Sequence, residues 1–279
     1  MPQWGWPAPK PARGCRLDLT HPLARGLVGY WPMVEGSGAP TNLATPAAGT
    51  TNAMAWAAAP IGPSGRRGPV LSNPGTTNQV RVPNAPALDI QGPAITYGGW
   101  VYPTISNAFQ TLLCKDITTT AAGRQYAAYL SSAGTGSVFV GIGGASGFGG
   151  NVAVAPAWAV NAWNLVLVGY DGATIRVYVN GKLAGTQPLA GSVVSPSPGG
   201  NVPVYMGSDS GNVFPLNGYL DAGFVWNRPL AALEVAALYA GPYQLLRSTV
   251  DIAWIAAATA TAAASRRTLG NRAGSRGTS

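Results

Sequence analysis

The chain has 279 residues, and only 9% of them are charged, against about 25% in an average soluble domain. Glycine (38 residues) and proline (24 residues) are abundant, and the polar positions are filled mainly by Thr, Ser, Asn and Gly. These residue types suit strands and tight turns, whereas a helical protein would carry many Glu, Lys and Leu residues on its exposed faces. The composition therefore excludes a mainly helical protein and predicts an all-β fold.

The formal net charge of +8 is concentrated at the two ends of the chain. Residues 1–25 contain four basic residues and one acidic residue, and residues 247–279 contain five and one. Basic ends suit an acidic protein neighbour as well as a nucleic acid. No aromatic residues interleave with the C-terminal arginines as a stacking platform for bases would require, so nucleic acid is not an expected partner.

Taken in chain order, residues 1–25 are predicted to form an extended N-terminal arm because five prolines interrupt them. The segment has no apolar stretch typical of a secretory signal, so we expect synthesis in the cytoplasm without a signal peptide. Strand-like segments bounded by Gly, Pro or Asn then recur. They are residues 26–33, 70–73, 79–82, 94–102, 110–115, 126–131, 138–142 and 152–155.

Residues 163–186 predict a three-stranded antiparallel meander. Two dipeptides, Asp171-Gly172 and Asn180-Gly181, separate its apolar runs, and both favour type I′ hairpin turns with positive φ at the two central residues. Every second residue of Ile175–Val179 is apolar, which indicates that one face of the meander is buried.

Two further strands are predicted at residues 202–206 and 219–226, followed by one helix. Pro229 suits the first helical position, and Gly241-Pro242 would end the helix. Its buried face is expected to consist of Leu230, Leu233, Ala237 and Leu238. Many short strands with one helix are typical of a two-sheet sandwich. We therefore divide the chain into an N-terminal arm (1–25), a sandwich domain (26–247) and a basic C-terminal arm (248–279).

The residues that catalysis would require are scarce. Glycoside hydrolysis normally needs two carboxylates across the scissile bond, and no two of the nine acids lie within several residues of each other. The single histidine, His21, lies beside a proline in the arm and is a poor candidate for a general base. We expect no catalytic residues and no enzymatic activity.

Cofactor sites are not expected either. The sequence has no His/Cys cluster with the spacing of a zinc site, and Cys15 and Cys114 are predicted to be free thiols. Calcium remains an open alternative, bound through main-chain carbonyls and an acid such as Asp209 or Asp221. The apolar stretch 252–264 is too short to cross a bilayer, so no membrane partner is expected.

The tryptophans fall into two groups. Those in strand contexts are predicted to pack in the core; they are Trp31, Trp100, Trp163 and Trp226. Aromatic and basic residues of the two arms are instead expected to make assembly contacts with a neighbour. They are Trp4, Trp6, Arg13, Arg16, Trp254, Arg266 and Arg267.

Four blocks of sequence resemble the laminin-G-like jelly-roll family. They are GLVGYWPMVEGSG (26–38), AITYGGWVYPT (94–104), WNLVLVGYDGATIRVYVNGKLAG (163–185) and FPLNGYLDAGFVWNRPLAALEVAALY (214–239). The resemblance implies an all-β, two-sheet antiparallel jelly-roll sandwich of the concanavalin A-like kind, with one short C-terminal helix and two extended arms.

For function, the resemblance leaves two hypotheses. The segments HPLARGLVGYW (21–31) and LYAGPYQLLR (238–247) are similar to segments of bacteriophage structural proteins. They imply a multicopy, non-catalytic virion protein, a head decoration or tail component, whose arms dock onto capsid or tail proteins. The alternative is a carbohydrate-binding, lectin-like adhesion module whose partners are cell-surface glycans. An exposed aromatic groove beside polar groups would favour the alternative.

Overall fold

The computed structural model describes residues 10–45, 47–52, 54–58, 68–75, 78–106, 108–116, 124–130, 138–142, 151–152, 158–195 and 201–247. The strands, numbered in chain order, are β1 (Arg16–Leu17), β2 (Leu27–Trp31), β3 (Thr41–Asn42), β4 (Ala47–Ala48), β5 (Thr50–Asn52), β6 (Ala55–Ala58), β7 (Pro69–Pro74), β8 (Gln79–Val82), β9 (Ile95–Pro103), β10 (Gln110–Asp116), β11 (Arg124–Leu130), β12 (Val138–Ile142), β13 (Asn151–Val152), β14 (Asn164–Tyr170), β15 (Thr174–Val179), β16 (Lys182–Pro188), β17 (Val204–Met206), β18 (Asn217–Trp226) and β19 (Leu246–Arg247). Within these residues there is one α-helix, α1 (Ala232–Ala240), with two short 3-10 helices at Pro22–Ala24 and Pro86–Leu88.

Two antiparallel sheets form a sandwich. The seven-stranded sheet has the order β13-β12-β11-β10-β17-β8-β5, and the eight-stranded sheet has the order β16-β15-β14-β9-β18-β7-β6, with β2 also paired to β18. The predicted all-β jelly-roll sandwich with one helix is confirmed. Every predicted strand has a counterpart, although residues 131 and 153–155 of two predicted strands lie outside the described residues.

The main core lies between the two sheets and follows the period-2 alternation of the strands. Trp31 is fully buried in it, as are Tyr97 and Tyr126. Both tyrosine hydroxyls are satisfied, because Tyr97 donates to the Ala127 carbonyl at 2.9 Å and Tyr126 to the Leu88 carbonyl at 3.1 Å. Polar ring atoms in a core need such partners.

A second core covers the outer face of the eight-stranded sheet. Trp100, Trp163 and Trp226 lie in it, so the prediction that these tryptophans and Trp31 are buried is confirmed. Apolar residues before β2 and on α1 pack over these rings, and Trp226 Nε1 donates to the Leu23 carbonyl at 2.7 Å. The sandwich therefore has a third layer on one side.

Residues 10–25, which begin with Lys10, form part of this third layer. Lys10 Nζ lies 2.6 Å from Asp221 Oδ1 in β18, and the two side chains are only 1% and 2% exposed. The ammonium also donates to the Pro69 carbonyl at 2.7 Å, and the Tyr243 hydroxyl donates to Asp221 Oδ2 at 2.6 Å. Both carboxylate oxygens of Asp221 thus have a donor, from opposite ends of the domain.

Lys10→Met should lower the free energy of unfolding by about 3–5 kcal/mol, because it leaves the Asp221 carboxylate buried without a cation. Denaturant unfolding of the full chain measures this. Lys182→Met, at an exposed lysine of the edge strand β16, is the matched control and should change stability little. Equal effects of the two substitutions would contradict the assigned role of Lys10.

The helix differs from its prediction. It begins at Ala232 and not at Pro229, and its buried residues are Val235 and Leu238, whereas Leu233 is 85% exposed. Two hydrogen bonds set this start. The Leu230 N–H donates to Thr96 Oγ1 at 2.9 Å, which holds the preceding residues on the sheet, and the Glu234 carboxylate accepts the Ala231 N–H at 2.9 Å. The predicted end at Gly241 is confirmed.

The two turns of the meander behave differently. Asn180 and Gly181 have φ values of 52° and 82°, as a type I′ turn requires. The same prediction for Asp171-Gly172 is wrong, because Gly172 has positive φ and Asp171 does not. Asp171 Oδ1 accepts the N–H groups of Ala173 and Thr174 at 3.1 and 2.8 Å, so its side chain organises a wider loop.

Gly181→Ala should lower the free energy of unfolding by about 1–3 kcal/mol, since a side chain at φ 82° is strained. Its Cβ would also lie 2.9 Å from Cβ of Tyr239. Gly241→Ala is the control, because a Cβ there would have its nearest neighbour at 3.5 Å, in Gln244. Thermal unfolding of both variants distinguishes them, and an unchanged midpoint for Gly181→Ala would contradict the turn assignment.

Candidate functional site

The outer face of the seven-stranded sheet carries the most unusual group of side chains in the described residues. In β10, Leu113 points into the main core and Cys114 points outward. The register places Cys114 opposite both Ala127 and Tyr205. We call the following residues on and beside this face the outer-face cluster: Phe109, Cys114, Asp116, Arg124, Tyr129, Tyr205, Asp209 and Phe214.

Three rings of the outer-face cluster run from solvent into the protein. Phe109 is 36% exposed, and its ring centroid lies 5.7 Å from that of Phe214. Phe214 is partly buried and meets Tyr129 edge to face at 5.7 Å, while Tyr129 is only 4% exposed. The Phe214 backbone is held in place because its carbonyl accepts both the N–H and the hydroxyl of Thr111, at 2.9 and 2.8 Å. These rings form a continuous apolar strip.

At the buried end of the strip lie two carboxylates. The Tyr129 hydroxyl donates to Asp116 Oδ2 at 2.8 Å, and Arg124 Nε lies 3.6 Å from the same oxygen. Burial raises the pKa of Asp116, opposed by the hydrogen bond from Tyr129 and the charge of Arg124, and the nearby charge of Asp209 raises it further. Asp116 is 1% exposed and Asp209 is fully buried.

Asp209 is placed by the loop that follows β17. Its Oδ1 accepts the Val213 N–H at 2.7 Å, and its carbonyl accepts the Asn212 N–H at 3.1 Å. Asn212 adopts a φ of 54°, a conformation that asparagine tolerates better than most residues. This tight turn directs the Asp209 side chain back to the sheet.

Several oxygens around this loop have no hydrogen-bond partner among the described residues although they are buried. They are Asp116 Oδ1, Asp209 Oδ2, Ser208 Oγ, Asn212 Oδ1 and, on the adjacent strand β8, Gln79 Oε1. Buried polar groups in native proteins are nearly always paired. All of these oxygens can accept hydrogen bonds, so the outer-face cluster suits a ligand that presents donors.

Cys114 lies under the same cluster. Burial raises its pKa well above the usual range, and the charges of Asp116 and Asp209 act in the same direction. A thiol that stays protonated is a poor nucleophile. Both cysteines are free and buried, which confirms the prediction of two free thiols.

The sequence-based search for paired acids missed Asp116 and Asp209 because they are far apart along the chain. The sheet brings their charges within electrostatic reach of each other. Both side chains are closed to solvent, however, so as they stand they do not flank an open cleft as the two carboxyls of a glycosidase do. Two sequence signals could have identified them: Asp116 faces outward at the end of β10, and Asp209 lies in a turn that contains Gly and Asn.

The other acids among the described residues and the histidine have structural partners. Asp221, one of the two acids considered for calcium, accepts hydrogen bonds from Lys10 and Tyr243. His21 Nδ1 accepts the Leu23 N–H at 3.2 Å and so caps a 3-10 helix. In the described parts of the chain, no group of three His, Cys, Asp or Glu residues could hold a metal ion.

Five of the seven predicted assembly residues lie outside the described residues: Trp4, Trp6, Trp254, Arg266 and Arg267. Arg13 is exposed, with Nη1 3.5 Å from Ser37 Oγ. Arg16 is exposed in β1, opposite Arg247. Their role in assembly stays a prediction.

A cleft of about 530 Å³ lies between residues 19–25 and the start of α1. Most of its polar lining is already paired: Glu234 forms two hydrogen bonds with Arg228, at 2.8 and 2.7 Å, and Thr20 donates to Asp18. The cleft therefore offers fewer groups to a ligand than the outer-face cluster does.

Among the described residues, no helix has the length and hydropathy needed to cross a membrane.

The raised pKa of Asp116 predicts a pH dependence of stability. Because the folded state releases this proton at a higher pH than the unfolded chain does, the wild type loses stability as the pH rises from the ordinary aspartate pKa to the raised pKa of Asp116. Asp116→Asn removes this loss, so the stability of the variant relative to the wild type should increase from about pH 4 to about pH 7. Denaturant unfolding across this range measures it.

Asp18→Asn is the control of opposite sign. Hydrogen bonds from Arg247 and Thr20 lower the pKa of Asp18 to about 2, so this carboxylate stabilises the fold above its ordinary pKa. That contribution is lost as the pH falls towards about 2. A relative stability of Asp116→Asn that falls or stays flat with rising pH would contradict the assigned environment of Asp116.

Comparisons with known proteins bear on the fold. A model of the concanavalin A-like lectin/glucanases superfamily matches residues 74–236. A search of curated proteins gives no match. Three similar solved structures are described next, and their identities to this chain are low enough that they show the fold alone.

The binding domain of Paraclostridial mosquitocidal protein 1 matches with a TM-score of 0.57 and 11% identity, over 78% of this chain and 52% of that one. The binding domain of botulinum neurotoxin serotype G matches with 0.51 and 10%, over 76% and 50%. Domain 4 of AbnA, a GH43 extracellular arabinanase from Geobacillus stearothermophilus, in complex with arabinotriose, matches with 0.50 and 15%, over 76% and 98%. The chain thus spans about half the length of the two toxin binding domains.

Proposed function

The chain belongs to the concanavalin A-like lectin/glucanases superfamily, and from this premise we propose that it is a non-catalytic, lectin-like domain that binds glycans through the outer-face cluster. The observation that carries this proposal is the contact of a strip of partly exposed rings with a group of unpaired acceptor oxygens. Of the two hypotheses drawn from the sequence, the lectin-like one has the greater support.

The chemistry of the outer-face cluster matches that of a sugar. A pyranose or furanose has apolar C–H faces that stack on aromatic rings, and Phe109 and Phe214 offer such rings at the surface. Sugar hydroxyls are hydrogen-bond donors, and one carboxylate oxygen of each acid, Asp116 Oδ1 and Asp209 Oδ2, has no donor among the described residues. A binding site of this kind is mainly apolar, with a few convergent polar groups that set orientation.

Two of the similar solved structures are consistent with a binding role. One is a domain in complex with arabinotriose, and another is the binding domain of a toxin. Fold alone does not determine function, so these likenesses support a binding module without identifying its ligand.

The absence of catalysis is part of the proposal. A general acid and a nucleophile must both reach the glycosidic bond, whereas one oxygen of each carboxylate in the outer-face cluster is already held by the protein, Asp116 Oδ2 by Tyr129 and Asp209 Oδ1 by Val213. Hydrogen-bond acceptance is the role that their environment favours.

A virion role, with docking through the arms, multicopy assembly and virion localisation, stays a prediction. So does the expectation that no cofactor is bound, with calcium as its open alternative. Both are compatible with a glycan-binding sandwich, because adhesion proteins of virions also need sugar-binding domains.

The proposal is tested by glycan-array screening of the full chain, followed by calorimetry with the best ligand. Phe214→Ala should weaken binding by about tenfold or more, because it removes the ring that joins the exposed and buried parts of the strip. The matched control is Tyr102→Ala, at a partly buried ring on the outer face of the opposite sheet, which should bind like the wild type. No release of reducing sugar is expected from the bound glycan.

Three results would contradict the proposal. Failure of the folded protein to bind any glycan on the array would refute glycan binding. Loss of binding in Tyr102→Ala with retention in Phe214→Ala would place the site on the eight-stranded sheet. Hydrolysis that is abolished by Asp116→Asn or Asp209→Asn would show that the domain is an enzyme.

A further inference from the structure

We propose that the outer-face cluster selects a cationic glycan, one whose sugars carry a free ammonium group, over neutral and acidic glycans. This inference rests on the proposed glycan-binding function and adds the charge of the ligand. It depends on the lack of a cation beside Asp209 among the described residues and on the unpaired oxygens of the loop that positions Asp209.

Among the described residues, the two buried carboxylates have only one cation near them, Arg124. Asp116 has Arg124 Nε at 3.6 Å, whereas Asp209 forms no ion pair with any described residue. Its Oδ1 accepts one backbone N–H, from Val213, and its Oδ2 has no partner. A buried carboxylate without a cation is unfavourable, and a bound cation would relieve this.

Asp221 shows how the same protein treats a buried carboxylate that has a structural role. It is 1% exposed and is paired with the Lys10 ammonium at 2.6 Å. The contrast between Asp221 and Asp209 favours a ligand as the source of the cation for Asp209.

The hydrogen-bonding pattern near Asp209 fits an ammonium. The group has three N–H donors and no acceptor. The loop presents three unpaired oxygens within five residues, namely Ser208 Oγ, Asp209 Oδ2 and Asn212 Oδ1. The carboxylate or sulfate group of an acidic sugar would bring only acceptors to these oxygens, and its negative charge would be repelled by Asp116 and Asp209.

The aromatic rings of the outer-face cluster also favour a cationic ligand. A cation within about 6 Å of an aromatic face is attracted by the ring quadrupole, and the Phe214 and Tyr129 rings border the carboxylates. The loop also provides the route to Asp209, since Val213 is 58% exposed while Asp209 is fully buried. The proposal therefore requires the Gly211–Val213 segment to shift outward for the ligand to reach Asp209.

A pair of oligosaccharides that differ only in charge tests the inference. Glucosamine hexamer carries free ammonium groups, and the N-acetylglucosamine hexamer of the same linkage is neutral. Calorimetry with the full chain at about pH 6, where the amines are protonated, should give at least tenfold tighter binding of the glucosamine hexamer. Added salt should reduce the preference, because part of it is a charge interaction.

Asp209→Asn removes the charge and keeps the oxygen that accepts the Val213 N–H, and it should abolish the preference for the glucosamine hexamer. Asp171→Asn, at an acid in the loop between β14 and β15, is the matched control and should keep it. Circular dichroism and thermal unfolding confirm that each variant is folded. If Asp209→Asn does not fold, Ser208→Ala replaces it and should reduce the preference.

The outcomes separate this inference from the proposed function. Equal or tighter binding of the neutral hexamer overturns the cation preference and leaves glycan binding intact. A preference that survives in Asp209→Asn overturns the assignment to this carboxylate. If neither hexamer binds, the inference is overturned, and glycan binding is judged by the array alone.

Discussion

The buried carboxylate of Asp221 is the group on which the placement of Lys10 and Tyr243 depends. It lies in β18, the strand that pairs with β2, β7 and β9, so it is placed at the centre of the eight-stranded sheet. A charge there requires a cation and further donors. Lys10 comes from before the first strand and Tyr243 from after α1, so satisfying this one group brings both ends of the domain onto the same face.

The same rule, applied to the seven-stranded sheet, explains why its outer face stands out. At the end of β10, neighbouring residues point to opposite sides, and both are charged and buried. Lys115 is satisfied by Asn84 and the Val202 carbonyl, with Asp89 at 4.0 Å, and burial lowers its pKa to about 8. Asp116 and Asp209 keep oxygens without a partner. The protein thus pairs the charged group that points into the core and leaves unpaired acceptor oxygens on the outer face of the seven-stranded sheet.

Membership of the concanavalin A-like superfamily makes this difference between the faces informative. The helix and residues 10–25 cover the outer face of one sheet, which leaves less of that face for a ligand. The other outer face keeps rings that reach the surface and a loop whose backbone turns an acid back towards them. In a fold that hosts many functions, function is assigned from such groups and not from the architecture.

The sequence by itself determined what depends on neighbours along the chain. Alternation of apolar residues identified the strands of the meander, Asn180-Gly181 identified its second turn, and the scarcity of charges identified the fold class. The short strands β1, β3, β4, β5, β6 and β19 were missed because pairings of two to four residues leave no clear periodic pattern. Only the tertiary structure decided which face of α1 is buried, because hydrogen bonds from the backbone N–H groups of Leu230 and Ala231 to Thr96 and Glu234 set where the helix begins.

The candidate site belongs to the second category. Asp116 and Asp209 are separated by several strands in the sequence, and only the pairing of β10 with β17 brings them to one face. Lys10 looked like part of a solvated arm, and only the position of Asp221 makes its burial favourable. Local pattern reports which residues can form a strand or a turn, whereas contacts between distant residues arise when sheets pair, and these contacts decide which charges are satisfied.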